Sequence, residues 1–255
     1  MRMSGLLRFT AIALTLAVTP IVTGCGGNPF KPPVTTGPGG LPDNTPPNDS
    51  PQNLMVRFET TYEYQVLAEY KLLLTQDFRF TFSNQTDPAL VTKYGNNWGK
   101  VDEETSAGNL FDGFTDSESP PVHHNGASSI DLQLTAPSYN EDPFHLGDTE
   151  HYMKVSVTRV TGTIEIPADN GGDPQRFLLD ARQDFYIVRG DVAVLDTDQA
   201  ADATHWYIYR WDDLSELLVG RAMDLARINV RVGTTSGGVP GTPVTFGAFK
   251  DSFRH

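Results

Sequence analysis

The sequence predicts an α+β domain, helices first and a meander of long strands after them, and three observations carry that expectation. Between residues 50 and 74 apolar side chains recur every three to four positions. From Phe78 onward the period falls to two, and the segments Tyr152 to Ile166 and Gln175 to Val188 are long runs separated by a Gly-rich turn. Helices followed by sequence-adjacent strands pack on one face of an antiparallel sheet. The 255 residues, 38% hydrophobic and 10% aromatic, suffice for one sizeable core and not for several.

The chain opens on what reads as an export leader. Arg2 and Arg8 form a basic start, and Phe9 to Val22, with Ala11, Ile12, Leu14, Leu16 and Ile21, supplies an apolar run of signal-peptide length. About 18 to 20 apolar residues are needed to span a bilayer, and Pro20 interrupts a spanning helix, so an uncleaved anchor is the lesser reading. The run ends at Val22-Thr23-Gly24-Cys25, which resembles the lipobox of bacterial lipoproteins, with Val22 in place of the more usual leucine. The resemblance implies that residues 1–24 are removed and that Cys25 carries the lipid, its thiol taking a diacylglyceryl group and its freed amine an acyl chain. A triacylated cysteine holds firmly, because each buried methylene adds about 0.8 kcal/mol. Gly26 stands where an aspartate would resemble an inner-membrane retention signal, so the outer membrane is the expected address, facing either the periplasm or the surface. Cys25 is the only cysteine, so no intramolecular disulfide forms and the fold holds by packing.

Residues 25–49 read as a tether. Pro32-Pro33, Gly37-Pro38-Gly39-Gly40 and Thr45-Pro46-Pro47 lack apolar periodicity and favour extended backbone. The net charge of −13 becomes more negative once a leader containing only Arg2 and Arg8 is removed. An acidic surface repels phosphate backbones, so nucleic acid is excluded as a partner, and the membrane, through Cys25, is the expected one.

The domain is expected over residues 50–216. Ser50-Pro51 marks a helix start, Ser50 as N-cap and Pro51 in the first turn, where its missing N–H costs nothing. Leu54, Phe58 and Tyr62 then repeat at i+4, and Leu67, Tyr70 and Leu74 predict a second short helix. Phe78-Arg79-Phe80-Thr81-Phe82 alternates as a strand with one aromatic face. A loop holding Asp87-Pro88 and Gly95-Asn96-Asn97 leads to a third helix, Lys100 to Phe111, weakened by Gly108. Ile130, Leu132 and Leu134 alternate with polar residues as a half-buried strand. In Tyr152 to Ile166 the apolar parity shifts from Val155 and Val157 to Val160, Gly162, Ile164 and Ile166, which predicts a bulge and a bent sheet. Asn170-Gly171-Gly172-Asp173 turns the chain into Gln175 to Val188, and Thr204 to Trp211 is the most aromatic strand. Residues 217–255 form a C-terminal extension. Gly233 to Gly241 is a linker, and Phe246, Phe249 and Phe253, at helical spacing, predict a short docked helix, with a disordered tail as the alternative.

The helix pair leading into Gln76-Asp-Phe-Arg-Phe-Thr-Phe82, the Trp98-Gly99 helix entry, the hairpin expected at Phe185-Tyr-Ile-Val-Arg-Gly-Asp191 and the closing Trp206-Tyr-Ile-Tyr-Arg-Trp-Asp212 resemble the nuclear-transport-factor-2-like superfamily. More narrowly, the chain is similar to uncharacterised bacterial lipoproteins with such a domain. The resemblance covers about Ser50 to Glu216. It implies a cone, a strongly curved antiparallel sheet wrapped on its helices with a cavity between them. The superfamily holds isomerases, dehydratases and polyketide cyclases beside non-enzymatic binding modules, so the fold leaves function open.

Chemistry-bearing motifs are sparse. His123-His124 are adjacent, which on a strand sends them to opposite faces, and no HExxH spacing accompanies them, so no metal is expected. Asp169 to Asp173 lacks the full calcium-loop pattern and reads as a turn. No nucleophile elbow, P-loop or dinucleotide fingerprint occurs, and no cofactor is expected. General acid/base work would fall to Asp184, Tyr186, His205 or Tyr209 facing a dry cone cavity. In the aromatic strand, alternation puts Trp206, Ile208 and Arg210 on one face and His205, Tyr207, Tyr209 and Trp211 on the other. One set packs under the helices. Alternatively Trp206, Tyr207, Tyr209, Arg210 and Trp211 line a pocket at the cone's mouth, offering apolar area with polar tips to a small apolar or aromatic ligand. The expected role is thus a membrane-anchored module that binds a small molecule or an envelope protein without catalysis. The alternatives are an acid/base enzyme of isomerase, dehydratase or cyclase type, and a structural envelope protein whose cone is filled by its own side chains.

Overall fold

The computed structural model describes residues 40–82, 88–117, 119–169, 171–215, 242–244 and 246–254; the leader, Cys25 and the linker Gly233 to Gly241 lie outside them. Helix α1 (Pro51–Glu63) starts where Ser50 and Pro51 predict, with the Ser50 hydroxyl accepting from the Asn53 N–H at 3.2 Å. It ends through Gln65, whose left-handed φ of 56° lets Val66 N–H reach back to Thr61 O. Helix α2 (Leu67–Lys71) is shorter than the periodicity suggests: Leu74 opens strand β1 (Leu74–Thr81) instead of closing the helix. Pro88 begins a further helix, α3 (Pro88–Tyr94), where the sequence reads as loop. Strand β2 (Asn97–Gly99) leads directly into α4 (Lys100–Asp112), where the Asp102 carboxylate accepts from the Gly99 N–H at 3.3 Å.

After α4 come a two-stranded hairpin, β3 (Phe114–Thr115) with β4 (His123–His124), and the strands β5 (Ser129–Thr135), β6 (Ser138–Glu141), β7 (Tyr152–Ile166), β8 (Gln175–Arg189) and β9 (Trp206–Asp213). The main sheet runs β2-β1-β9-β8-β7-β5. Strand β6 adds to β7, and β10 (Thr242–Val244) adds to β8 alongside its Phe177–Leu179 stretch. The register of β7 slips between Val157 and Val160, where the parity of its apolar residues changes, so the bulge bends this strand as read. The sheet is not wholly antiparallel: β1 pairs β9 in parallel, and so does β10 with β8. Parallel neighbours need a long crossover, and everything from α3 to β8 lies between β1 and β9.

The helices fill the hollow of the curved sheet. Phe58 of α1 meets Phe185 of β8 and Trp211 of β9, each at 5.2 Å between ring centroids, and Phe80, Phe82 and Trp98 continue the aromatic core. The last helix, α5 (Phe246–Asp251), docks as the Phe spacing predicts, with Phe246, Phe249 and Phe253 all buried. The expected tether also ends earlier than residue 49. Asn48 exchanges backbone and side-chain hydrogen bonds with Trp206, and Pro46 O accepts from Arg57, so this stretch is pinned to the domain.

Two glycines place the hairpin. Gly113, φ 80°, ends α4; a Cβ there would lie 2.5 Å from His124 O, and one on Gly126 would lie 2.6 Å from Phe111 O. Only bare backbone lets the chain leaving β4 pass this close to the helix end.

Candidate functional site

The interior of the cone is occupied by the chain itself. Lys250 of α5 points into it, its side chain 3% exposed, and Nζ donates to Glu103 Oε1 at 2.5 Å. Glu103, on α4, is fully buried and also accepts from Tyr70 Oη at 2.5 Å and, through Oε2, from Trp98 Nε1 at 3.0 Å. Burial pulls the Lys250 amine down to about 8 against the opposing pull of Glu103. Burial beside the same carboxylate pushes the Tyr62 and Tyr70 hydroxyls well above their ordinary range. A second buried carboxylate, Asp213, accepts from Gln183 Nε2 at 2.9 Å and from the Gly247 N–H at 2.8 Å, which fastens the start of α5. Burial raises its pKa, partly offset by these donors.

Open space lies instead at the end of the sheet where β7 turns into β8. There a cleft of about 820 Å³ opens between the β3–β4 hairpin, the β7–β8 tip and the end of α5. Its apolar walls are Phe114, Val122, Ile166, Pro167, Phe177 and Phe253, and its polar points include Thr115, Asn125, Gln175 and Ser252. On one wall His124 stacks on Phe114 at 4.7 Å and lies between two carboxylates, Nε2 to Asp116 at 3.2 Å and Nδ1 to Asp169 at 2.9 Å. The Asp116 hydrogen bond is the main cause of a raised His124 pKa, with Asp169 adding to it against some desolvation. The Asn125 N–H, at 2.9 Å, is the main cause of a lowered Asp169 pKa. His124 and its two aspartates thus form a triad in which both ring nitrogens face a carboxylate.

Three of the four acid/base candidates lie on the outer face of the sheet, away from the helices. Asp184 holds Lys154 at 2.5 Å through Oδ2, while its buried Oδ1 has no hydrogen-bond partner among the described residues. Tyr186 packs beside Phe144 at 5.2 Å, and burial, followed by the charge of Asp212, raises its pKa. Tyr209 donates to the fully buried Asp142 and lies 3.3 Å from His145 Nδ1; burial and then Asp142 raise its pKa. His205 stands apart, bonded to Asp202 at 2.9 Å in the loop before β9. None of these four lines the cleft beside His124.

In β9 the alternation read from the sequence is broken. Ile187 pairs with Ile208 but Tyr186 pairs with Arg210, so Tyr209 is an extra residue at a bulge and parity reverses across it. Trp206, Ile208 and Trp211 therefore share the core face, Trp211 fully buried with its Nε1 donating to Gln183 at 2.6 Å. Tyr209 and Arg210 turn outward, the Arg210 guanidinium gripping Asp212 and lying 4.4 Å over the Phe144 ring. Tyr207 is also on the outer side, covered by the preceding loop, where its hydroxyl donates to Ala200 O at 2.9 Å. These five residues do not line one pocket. Of the two carboxylates that His124 meets, the sequence singles out Asp169 only as part of a turn and Asp116 not at all; the adjacent His123-His124 pair is the other local signal.

No family model matches the chain, and no curated protein does. Solved structures that resemble it include a nuclear-transport-factor-2-like superfamily protein from Salmonella enterica serovar Typhimurium, 12% identical over 64% of this chain and 85% of that one, TM-score 0.37. A second is an NTF2-like protein of unknown function in nutrient uptake from Rhodospirillum rubrum, 11% identical over 65% and 98%, TM-score 0.36. A third, with a cystatin-like fold and unknown function, is from Nostoc punctiforme, 9% identical over 64% and 85%, TM-score 0.33. Each is a distant likeness of fold and says nothing of ligand or reaction.

Proposed function

We propose that this chain is a lipid-anchored protein of the bacterial envelope, held to the outer membrane through Cys25, whose domain binds a small apolar or aromatic molecule without catalysis. The ligand sits in the cleft beside His124. The observation that carries this reading is the cleft itself: a preformed concavity of about 820 Å³ with apolar walls and a few polar points, the usual make-up of a small-molecule site. Binding is favoured over acid/base work because His124 has both nitrogens tied to carboxylates, so exchanging a proton with a ligand would break the triad. One observation favours a second reading, a structural envelope protein: the cone interior is filled by the domain's own α5.

The test is native mass spectrometry of the full-length protein purified from membranes, alongside Ala168→Trp, which places an indole in the cleft that Ala168 lines. The binding reading expects a small-molecule adduct on the wild type that the variant loses. Recovery of bare protein from both would favour the structural reading.

A further inference from the structure

Lys250 is an unusual residue to anchor a terminal helix. Burying an ammonium is costly unless a counter-charge and hydrogen bonds replace its water, and an aliphatic side chain would dock the helix without that cost. The domain supplies what the ammonium needs. Nζ lies 3.5 Å from the centre of the Trp211 ring, 4.3 Å from Phe80 and 5.3 Å from Phe246, and it donates to Glu103 Oε1. Rings around a cation, closed by one carboxylate, are the recognition chemistry of organic ammonium groups. Apart from Phe246, every element of this cage belongs to the body of the domain: Glu103 from α4, Phe80 from β1 and Trp211 from β9. Glu103 is itself held by Tyr70 and Trp98, so the carboxylate is aimed at this point by residues outside α5.

We propose that the interior of the cone is a binding site for a primary ammonium on a short aliphatic stem, and that this chain occupies it with its own Lys250. The terminal helix is then an internal ligand, and a free alkylamine of matching size is a competent replacement for its side chain. A neutral molecule of the same size is not, because Glu103 would be left as a buried charge without its cation. The site is separate from the His124 cleft, and its test does not depend on that reading.

Lys250→Ala in the full-length chain removes three carbons and the nitrogen, the heavy atoms of n-propylammonium. The thermal midpoint of this variant is expected to climb with n-propylammonium concentration, as linkage requires of a ligand that binds only the folded state. It should not respond to 1-propanol, the wild type should respond to neither, and Glu103→Gln added to Lys250→Ala should abolish the response. Should Lys250→Ala fail to fold unaided, n-propylammonium and not 1-propanol must restore its far-ultraviolet circular dichroism. The proposal is overturned by a midpoint or spectrum indifferent to the amine, by equal effects of amine and alcohol, or by an equal rise in the wild type.

Discussion

Glu103→Gln tests how the terminal helix is held. The substitution keeps the size of the side chain and one acceptor oxygen for Tyr70 or Trp98, and takes away the negative charge facing the Lys250 ammonium at 2.5 Å. Both partners are at most 3% exposed, so water cannot replace the lost interaction. Removing one member of a buried ion pair costs about 3 to 5 kcal/mol. The lower end applies here, because the retained acceptor limits the loss and an amine already drawn down to about 8 sheds its proton readily. About 3 kcal/mol corresponds to a fall of roughly 6 to 12 °C in Tm for a domain of this size. Urea unfolding followed by tryptophan fluorescence reads the change, since Trp98 and Trp211 are both buried around the pair. A cycle with Lys250→Met isolates the interaction: the pair should couple by more than about 1 kcal/mol, whereas residues that do not touch add to within about 0.5 kcal/mol. Additive losses would refute the docked helix and the buried pair together.

The remaining predictions concern the cleft and the anchor. By NMR, His124 should titrate above its ordinary 6.5, and Asp116→Asn should bring it back down, because Asp116 is the largest cause of the shift. A raised histidine pKa stabilises the fold fully below pH 6.5 and loses that contribution as pH rises through the folded value, so the hairpin should loosen above that value. An unshifted His124 would contradict the triad. Gly126→Ala would place a Cβ 2.6 Å from Phe111 O and Gly113 N, displacing the hairpin; destabilisation by about 2 kcal/mol or more, with loss of the His124 shift, is expected, and a neutral effect would refute the close approach. Cys25→Ala should abolish acyl labelling and release the protein from membranes, and continued labelling would remove the lipoprotein reading.

The parts of the fold legible in the sequence were those fixed by local chemistry. Ser50-Pro51 and the i+4 row of Leu54, Phe58 and Tyr62 marked α1, and the parity change at Val157 to Val160 marked the β7 bulge. Helix α3 is not legible because Pro88 sits equally well in a turn or at a helix start, and seven residues show too little periodicity to decide. Leu74 fits both a helical row and the first position of β1. In β9 the alternation is regular in sequence and broken in space, since the bulge at Tyr209 depends on the register with β8. The site was less legible still. His124 and Asp169 lie 45 residues apart, and Glu103 and Lys250 lie 147 apart, so no spacing rule joins them. That Phe246, Phe249 and Phe253 share a helical face was readable; that the lysine among them enters a cage was not.

NMR of the full-length protein reads directly where the Lys250 side chain resides. An ammonium 3.5 Å from the centre of the Trp211 ring places the Lys250 methylene protons in the shielding zone of the indole. They should resonate well upfield of ordinary lysine positions and show nuclear Overhauser contacts to Trp211 and Phe80. Lysine protons at solvent-exposed shifts, with no contact to either ring, would contradict the account.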